Sequence, residues 1–155
     1  MRVDEDSAKI GVPPPLLYLG TLLIGVAITG ATGRLGPDGA ISYLTAGALL
    51  LLGVATIAAA TIRFGRAHTE ARPWRTTTTL VTSGIYRFTR NPMYLGMALV
   101  YAAIAVLLNS FTAVLLLPVL ILIVQTQVIA REERYLAGKF GADYAAYRQR
   151  VARWF

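Results

Sequence analysis

The chain has no cysteine and a single histidine, His68. Without thiols there is no disulfide, no thiolate metal site and no cysteine nucleophile, and one imidazole is too few for a histidine-based zinc site. Charge is scarce: 15% of the 155 residues carry one, against roughly 25% in an ordinary soluble domain. Acidic residues are the rarer sign, 8 against 15 Lys and Arg. No Gly-rich strand-turn-helix fingerprint of a dinucleotide site is present. The net charge of +7 comes with no RNA-binding or helix-turn-helix pattern, so no nucleic-acid partner is expected.

What the chain does have is long apolar blocks, at 55% hydrophobic residues overall. Residues 10–33, 39–62 and 91–130 hold no charged side chain. A helix needs roughly 20 apolar residues to cross hydrocarbon. The first two blocks fit one crossing each, and the third, 40 residues long, fits two with a tight reversal at Asn109 and Ser110. The predicted fold is all-α: an integral membrane bundle of four transmembrane helices, with a cytoplasmic loop and a C-terminal amphipathic helix. Pro13, Pro14 and Pro15 delay the first helix to about Leu16. An acidic leader without a small-x-small cleavage site reads as the lead-in to a crossing, not as a signal peptide.

Cation placement orients the bundle. Of the 15 Lys and Arg, two precede the first helix, six fall between Arg63 and Arg90, and six between Arg131 and Arg153; only Arg34 falls on the other side. The positive-inside rule assigns the side with 14 to the cytoplasm, termini included. The lipid bilayer is the expected partner, and the basic segments suit its anionic head groups. One domain, 1–155, results: a helical hairpin scaffold (1–62), a cytoplasmic loop (63–92), a transmembrane hairpin (93–130) and a cytoplasmic tail (131–155). Gly47, Gly53 and Ala58 are expected to let helices approach closely. In the loop, Pro73 cannot sit mid-helix without cost, and Trp74 among arginines suits the membrane interface.

Chemistry concentrates at two places. Asn91 is placed to cap a helix that opens at Pro92, so Arg87, Arg90 and Asn91 stand at the mouth of the bundle. Backbone N–H groups and a positive helix end there suit an anion. Gln125 and Gln127 are polar within the last crossing and are expected to face protein. Glu132 and Glu133 follow, 100° apart around a helix, so one can line a pocket while the other pairs with Arg87, Arg90 or Arg134. Spacing alone fits a plain salt bridge equally well, with Arg87 and Arg90 as membrane anchors and Tyr86, Tyr94 and Trp154 as interface aromatics. Gly138 and Gly141 are expected to interrupt the helix after Ala137. From Asp143, Tyr144, Tyr147 and Val151 fall at helical spacing, describing an amphipathic helix on the membrane or over the loop.

The run from Leu80 to Gly96, reading Leu-Val-Thr-Ser-Gly-Ile-Tyr-Arg-Phe-Thr-Arg-Asn-Pro-Met-Tyr-Leu-Gly, is followed after about 35 residues by Glu132-Glu133, then by Phe140-Gly-Ala-Asp-Tyr-Ala-Ala-Tyr147. This ordered set resembles the isoprenylcysteine carboxyl methyltransferase and phospholipid methyltransferase superfamily over residues 78–155. The resemblance implies a membrane methyltransferase using S-adenosylmethionine outside a Rossmann fold, with the cofactor between loop and tail and a lipophilic small-molecule acceptor entering from the bilayer. Carried over by position, Arg87, Arg90 and Asn91 are the candidate catalytic residues. Leu80 and Val81 would offer backbone contacts to adenine. Tyr86, Arg87, Pro92 and Tyr94 would form the loop side, Glu132 and Glu133 the tail side, with Tyr147 closing over them. The eukaryotic carboxyl methyltransferases read Arg-His-Pro where this chain has Arg90, Asn91 and Pro92, and tend to carry His at the place of Thr78. These departures bear on a prenylcysteine substrate, not on the cofactor.

Methyl transfer from a sulfonium is an in-line displacement that needs alignment and a dry site. Positive charge on sulfur is lost as the reaction proceeds, so a carboxylate touching sulfur would favour the ground state. The glutamates are therefore expected on the ribose hydroxyls or the ammonium, and Arg87 or Arg90 on the carboxylate. Two other classes compete: a sterol-reductase-like enzyme using NADPH, and a non-catalytic membrane scaffold.

Overall fold

The computed structural model describes residues 8, 10–36, 39–67, 69 and 76–155; most of the acidic leader, His68 and residues 70–75, with Pro73 and Trp74, lie outside the described residues. The described residues form α1 (Pro14–Thr32), α2 (Ala40–Arg66), a 3-10 turn (Gly84–Arg87), α3 (Pro92–Leu107), α4 (Phe111–Ile123), a π-helical turn (Val124–Ile129) and α5 (Ala130–Arg150). Among them the sole β-type pairing is an isolated bridge between Arg34 and Ser110.

The element boundaries follow from local chemistry. α1 opens at Pro14, two residues before the expected start, because the fixed φ of proline suits a first helical turn. The reversal between α3 and α4 falls at Asn109, whose φ of 53° is the left-handed conformation that Asn tolerates. The Asn109 amide locks the turn onto the α1–α2 connection: Nδ2 donates to the Gly36 carbonyl at 2.6 Å, and Oδ1 accepts from the Gly36 N–H at 3.2 Å. Ser110 caps α4, accepting from Ala113 N–H at 3.2 Å, which satisfies one of the orphan donors of a helix start.

α1, α2 and the continuous rod that begins as α4 are long and apolar enough to cross a membrane; α3, at 16 residues, is a shorter apolar helix. Leu23 and Leu51 are exposed at 60% and 72%, as side chains facing lipid would be. α2 runs along α3, and α1 packs on α4 and the flank of α3. Small residues set the first contact: a Cβ on Gly53 would lie 2.9 Å from the Gly96 carbonyl oxygen, and one on Gly96 2.8 Å from that of Gly53. Gly47 instead has open space around it, and Ala58 is exposed, so of the three small residues singled out only Gly53 serves helix packing. Tyr101, Leu120, Val124, Val128 and Ile129 fill the centre.

Beyond the bundle, α5 does not stop at Gly138. The break is at Gly141 alone, where φ is 48° and ψ −118°, a backbone state open to glycine and costly for other residues. The bend turns the last helical turns back over the loop, where Tyr144, Tyr147 and Val151 bury against Leu80, Leu136 and Phe140. Of the two placements open to the amphipathic tail, it takes the one over the loop.

Candidate functional site

The π-helical turn at Val124–Ile129 carries the site. One residue is inserted relative to α-helical winding, as at many functional sites. The turn directs Gln125 inward, where its Oε1 accepts from the Trp154 indole at 2.8 Å. Gln127 does not face protein as expected; it is exposed and accepts a long 3.5 Å contact from Arg131. Trp154 is no free interface aromatic, since it packs on the central cluster.

Glu133 is 9% exposed and is held by two cations. Arg90 Nη1 lies 2.9 Å from Oε1. Arg153 binds the carboxylate through both oxygens, Nε to Oε1 at 3.0 Å and Nη2 to Oε2 at 2.6 Å. Arg90 also donates weakly to the Tyr144 hydroxyl at 3.4 Å, while its buried Nε has no protein partner among the described residues.

The chain end forms a strap on the loop. Arg90 N–H donates to the Ala152 carbonyl at 3.0 Å. The Arg153 carbonyl accepts from the Thr89 hydroxyl at 3.1 Å and from Asn91 Nδ2 at 3.0 Å. Asn91 thus occupies the cap position of α3 without a side-chain cap bond; its amide is spent on the strap. Its own N–H donates to Thr89 Oγ1 at 3.2 Å. Two of the N–H groups expected to await an anion at this helix start are therefore engaged within the protein, and the cationic pole is the Arg90 guanidinium.

A cavity of about 360 Å³ opens between these parts, inside the range of roughly 300–1,000 Å³ typical of small-molecule sites. One wall is polar, with Arg90, Glu132 and Glu133; another, with Phe64, Met93 and Met97, is apolar and lies toward the helices. Glu132 reaches it through a hydrogen bond from the Tyr94 hydroxyl, 2.5 Å long. Twenty residues from 111 to 130 already cover the roughly 30 Å of hydrocarbon, so Glu132 stands beyond the apolar span. Burial pushes its carboxyl up to about 7, Tyr94 opposing and the nearby Glu133 charge adding to the shift. Burial also raises the Tyr86 and Tyr147 hydroxyls, which stay protonated; Tyr147 donates to the Tyr86 carbonyl at 2.7 Å and so ties tail to loop.

Of the residues named from sequence, Leu80, Val81, Tyr86, Arg90, Asn91, Tyr94, Glu132, Glu133 and Tyr147 meet at this cavity. Arg87 does not: it is exposed, with its guanidinium 5.9 Å from the Phe88 ring centroid, because the 3-10 turn points successive side chains apart by about 120°. Pro92 is buried as the first residue of α3, outside the lining. Arg153 and Tyr144 were missed. Helical spacing in the tail gave Arg153 no partner; the bend at Gly141 and the extended Val151 bring it back to Glu133.

The sequence profile of the phospholipid methyltransferase family matches residues 41–143, well over half of the chain and spanning both poles of the cavity except the strap. The protein-S-isoprenylcysteine O-methyltransferase of Schizosaccharomyces pombe is 38% identical over 72 residues, which is 46% of this chain and 30% of that protein. An uncharacterized protein of Haemophilus influenzae is 42% identical over 62 residues, 40% of this chain and 98% of its own length. No solved structure matches the chain.

Proposed function

The chain belongs to the phospholipid methyltransferase family, and on that premise we propose that it transfers a methyl group from S-adenosylmethionine to a small or lipophilic acceptor at the cytoplasmic face of a membrane. The observation that carries this reading is the buried Arg90 Nε without a protein partner among the described residues, in a residue that lines one cavity together with the Glu132 carboxyl. A buried donor is costly unless a ligand satisfies it, and a cation and a carboxyl lining the same cavity suit a zwitterion.

The residues present fit that cofactor. Arg90 would take its carboxylate, and Glu132 its ammonium or ribose hydroxyls. Leu80 and Val81 lie where backbone groups could meet the adenine, and Tyr147 covers the site. Bound there, S-adenosylmethionine supplies an electrophilic methyl. The protein's part is alignment and exclusion of water, since Tyr86, Tyr144 and Tyr147 shield the cavity on the loop and tail side. An acceptor that arrives ionised, such as a carboxylate, needs no general base. The apolar wall formed by Met93, Met97 and Phe64 suits an acyl or prenyl chain, or a lipid amine bearing one.

Four crossings complete the proposal. α3 reaches about 24 Å at 1.5 Å per residue, and it lies packed between α2 and the α1–α4 pair, so it shares their depth despite its length. The 14 cations on the site's side support a cytoplasmic location for that side and both termini. The test is purified protein titrated with S-adenosylmethionine and NADPH, then incubated with methyl-labelled donor and membrane lipids. Saturable binding of the first alone, with label in an extractable lipid, is expected. Binding of NADPH alone would move the chain to the reductase class, and binding of neither would leave a scaffold.

A further inference from the structure

Glu133 is a single negative charge shared by two guanidinium groups. Arg153 satisfies both of its oxygens in fork geometry, whereas Arg90 makes one contact and leaves Nε without a protein partner. The three groups sum to one surplus positive charge, and of the two guanidinium groups it is that of Arg90 that lines the cavity, beside Glu133. The other acid nearby, Glu132, is engaged by the Tyr94 hydroxyl.

We infer that Arg153 is a positioning residue which holds Glu133 so that the Arg90 guanidinium is free to turn to the carboxylate of the bound nucleoside; the inference rests on the cofactor reading above. A buried carboxylate stripped of its partner is heavily penalised. With Arg153 in place, Arg90 can lend its donors to a ligand while Glu133 remains paired. Without Arg153, Arg90 is the one cation left to Glu133 among the described residues, and each carboxylate bound by Arg90 is bound in competition with it. The strap is suited to this role because its backbone is anchored separately, through Thr89, Arg90 and Asn91 to the carbonyls of residues 152 and 153. Loss of the Arg153 side chain therefore leaves the strap docked.

The experiment compares two ligands in calorimetric titrations of the purified, full chain in detergent micelles. S-adenosylhomocysteine carries the amino-acid carboxylate; 5′-deoxy-5′-methylthioadenosine has the same nucleoside without it. In Arg153→Gln, affinity for the first should fall by roughly tenfold or more, the worth of a charge-assisted hydrogen bond, while affinity for the second stays within about twofold. Arg153→Lys, which keeps the charge but not the fork, should recover part of the loss. Equal losses for both ligands would reduce Arg153 to a structural clamp, and unchanged affinity for both would remove it from the site; either result overturns the inference. Failure of the unsubstituted protein to bind either ligand would instead bring down the cofactor reading itself.

Discussion

Glu133 stands 2.9 Å from Arg90 across the join between loop and tail. The contact links the mouth of α3 to the helix that follows the last apolar run, so one carboxylate serves both the assembly of the tail and the charge of the cavity. Glu133→Gln leaves two cations facing each other with no negative charge between them. It should lower stability by about 3 kcal/mol, in the range found when one member of a buried pair is removed. Thermal unfolding in micelles would read the effect.

Glu132→Gln should behave differently. Among the described residues Glu132 is engaged by Tyr94 and by no cation, so its amide keeps the fold and loses only the ligand contact. Calorimetry should show S-adenosylmethionine bound at least about tenfold more weakly, with the unfolding temperature no lower than before. Unchanged affinity would remove Glu132 from the cofactor site.

The same side chain gives a pH dependence. The ordinary carboxyl loses its proton near 4.5, but burial holds that of Glu132 to about 7. Between those values the folded protein binds a proton that the unfolded chain has released. This contribution to stability is present in full below about 4.5 and fades as pH rises through about 7. Unfolding temperatures measured across that window should fall with rising pH, and Glu132→Gln should flatten the slope.

Arg87 and Arg90 test the placement of the cationic pole. Arg90→Ala removes the guanidinium at the cavity and should cut methyl transfer by a factor on the order of 100 or more, as loss of a preorganised charged contact does. Arg87→Ala, exposed and against Phe88, should stay within about twofold. Turnover of labelled donor on membrane lipids distinguishes them, and equal losses would contradict the geometry.

Gly53→Ala probes the α2–α3 contact. Its Cβ would meet Gly96 O and Val100 N at 2.9 Å, closer than real contacts allow, so the helices must part. A loss of about 1–3 kcal/mol is expected for such overpacking, whereas Gly47→Ala, in open space, should be neutral. Unfolding temperatures of the two variants measure the difference.

Much of this arrangement could be read from the chain itself. Uncharged blocks translate into helices because hydrocarbon leaves the backbone no other partner, and proline and Asn109 mark starts and a reversal by their own φ preferences. The Arg90 and Glu132–Glu133 poles were legible because each sits at the end of an apolar block. Arg153 was not, since its partner is reached only through the left-handed bend at Gly141, a property of the backbone and not of hydropathy. Asn91 misled for a related reason: its cap position is set locally, but its amide goes to a carbonyl 62 residues away. Arg87 misled because a 3-10 turn, not an α-helix, carries it.

The wide turn at Val124–Ile129 sets the angular phase of everything after it. Were its six residues wound as an ordinary α-helix instead, both carboxylates would swing by about 100° around the rod, carrying Glu133 away from its two cations and Glu132 away from Tyr94. The facing of the acid pair therefore depends on that turn staying wide, although the apolar stretch before it tolerates exchange of one aliphatic side chain for another.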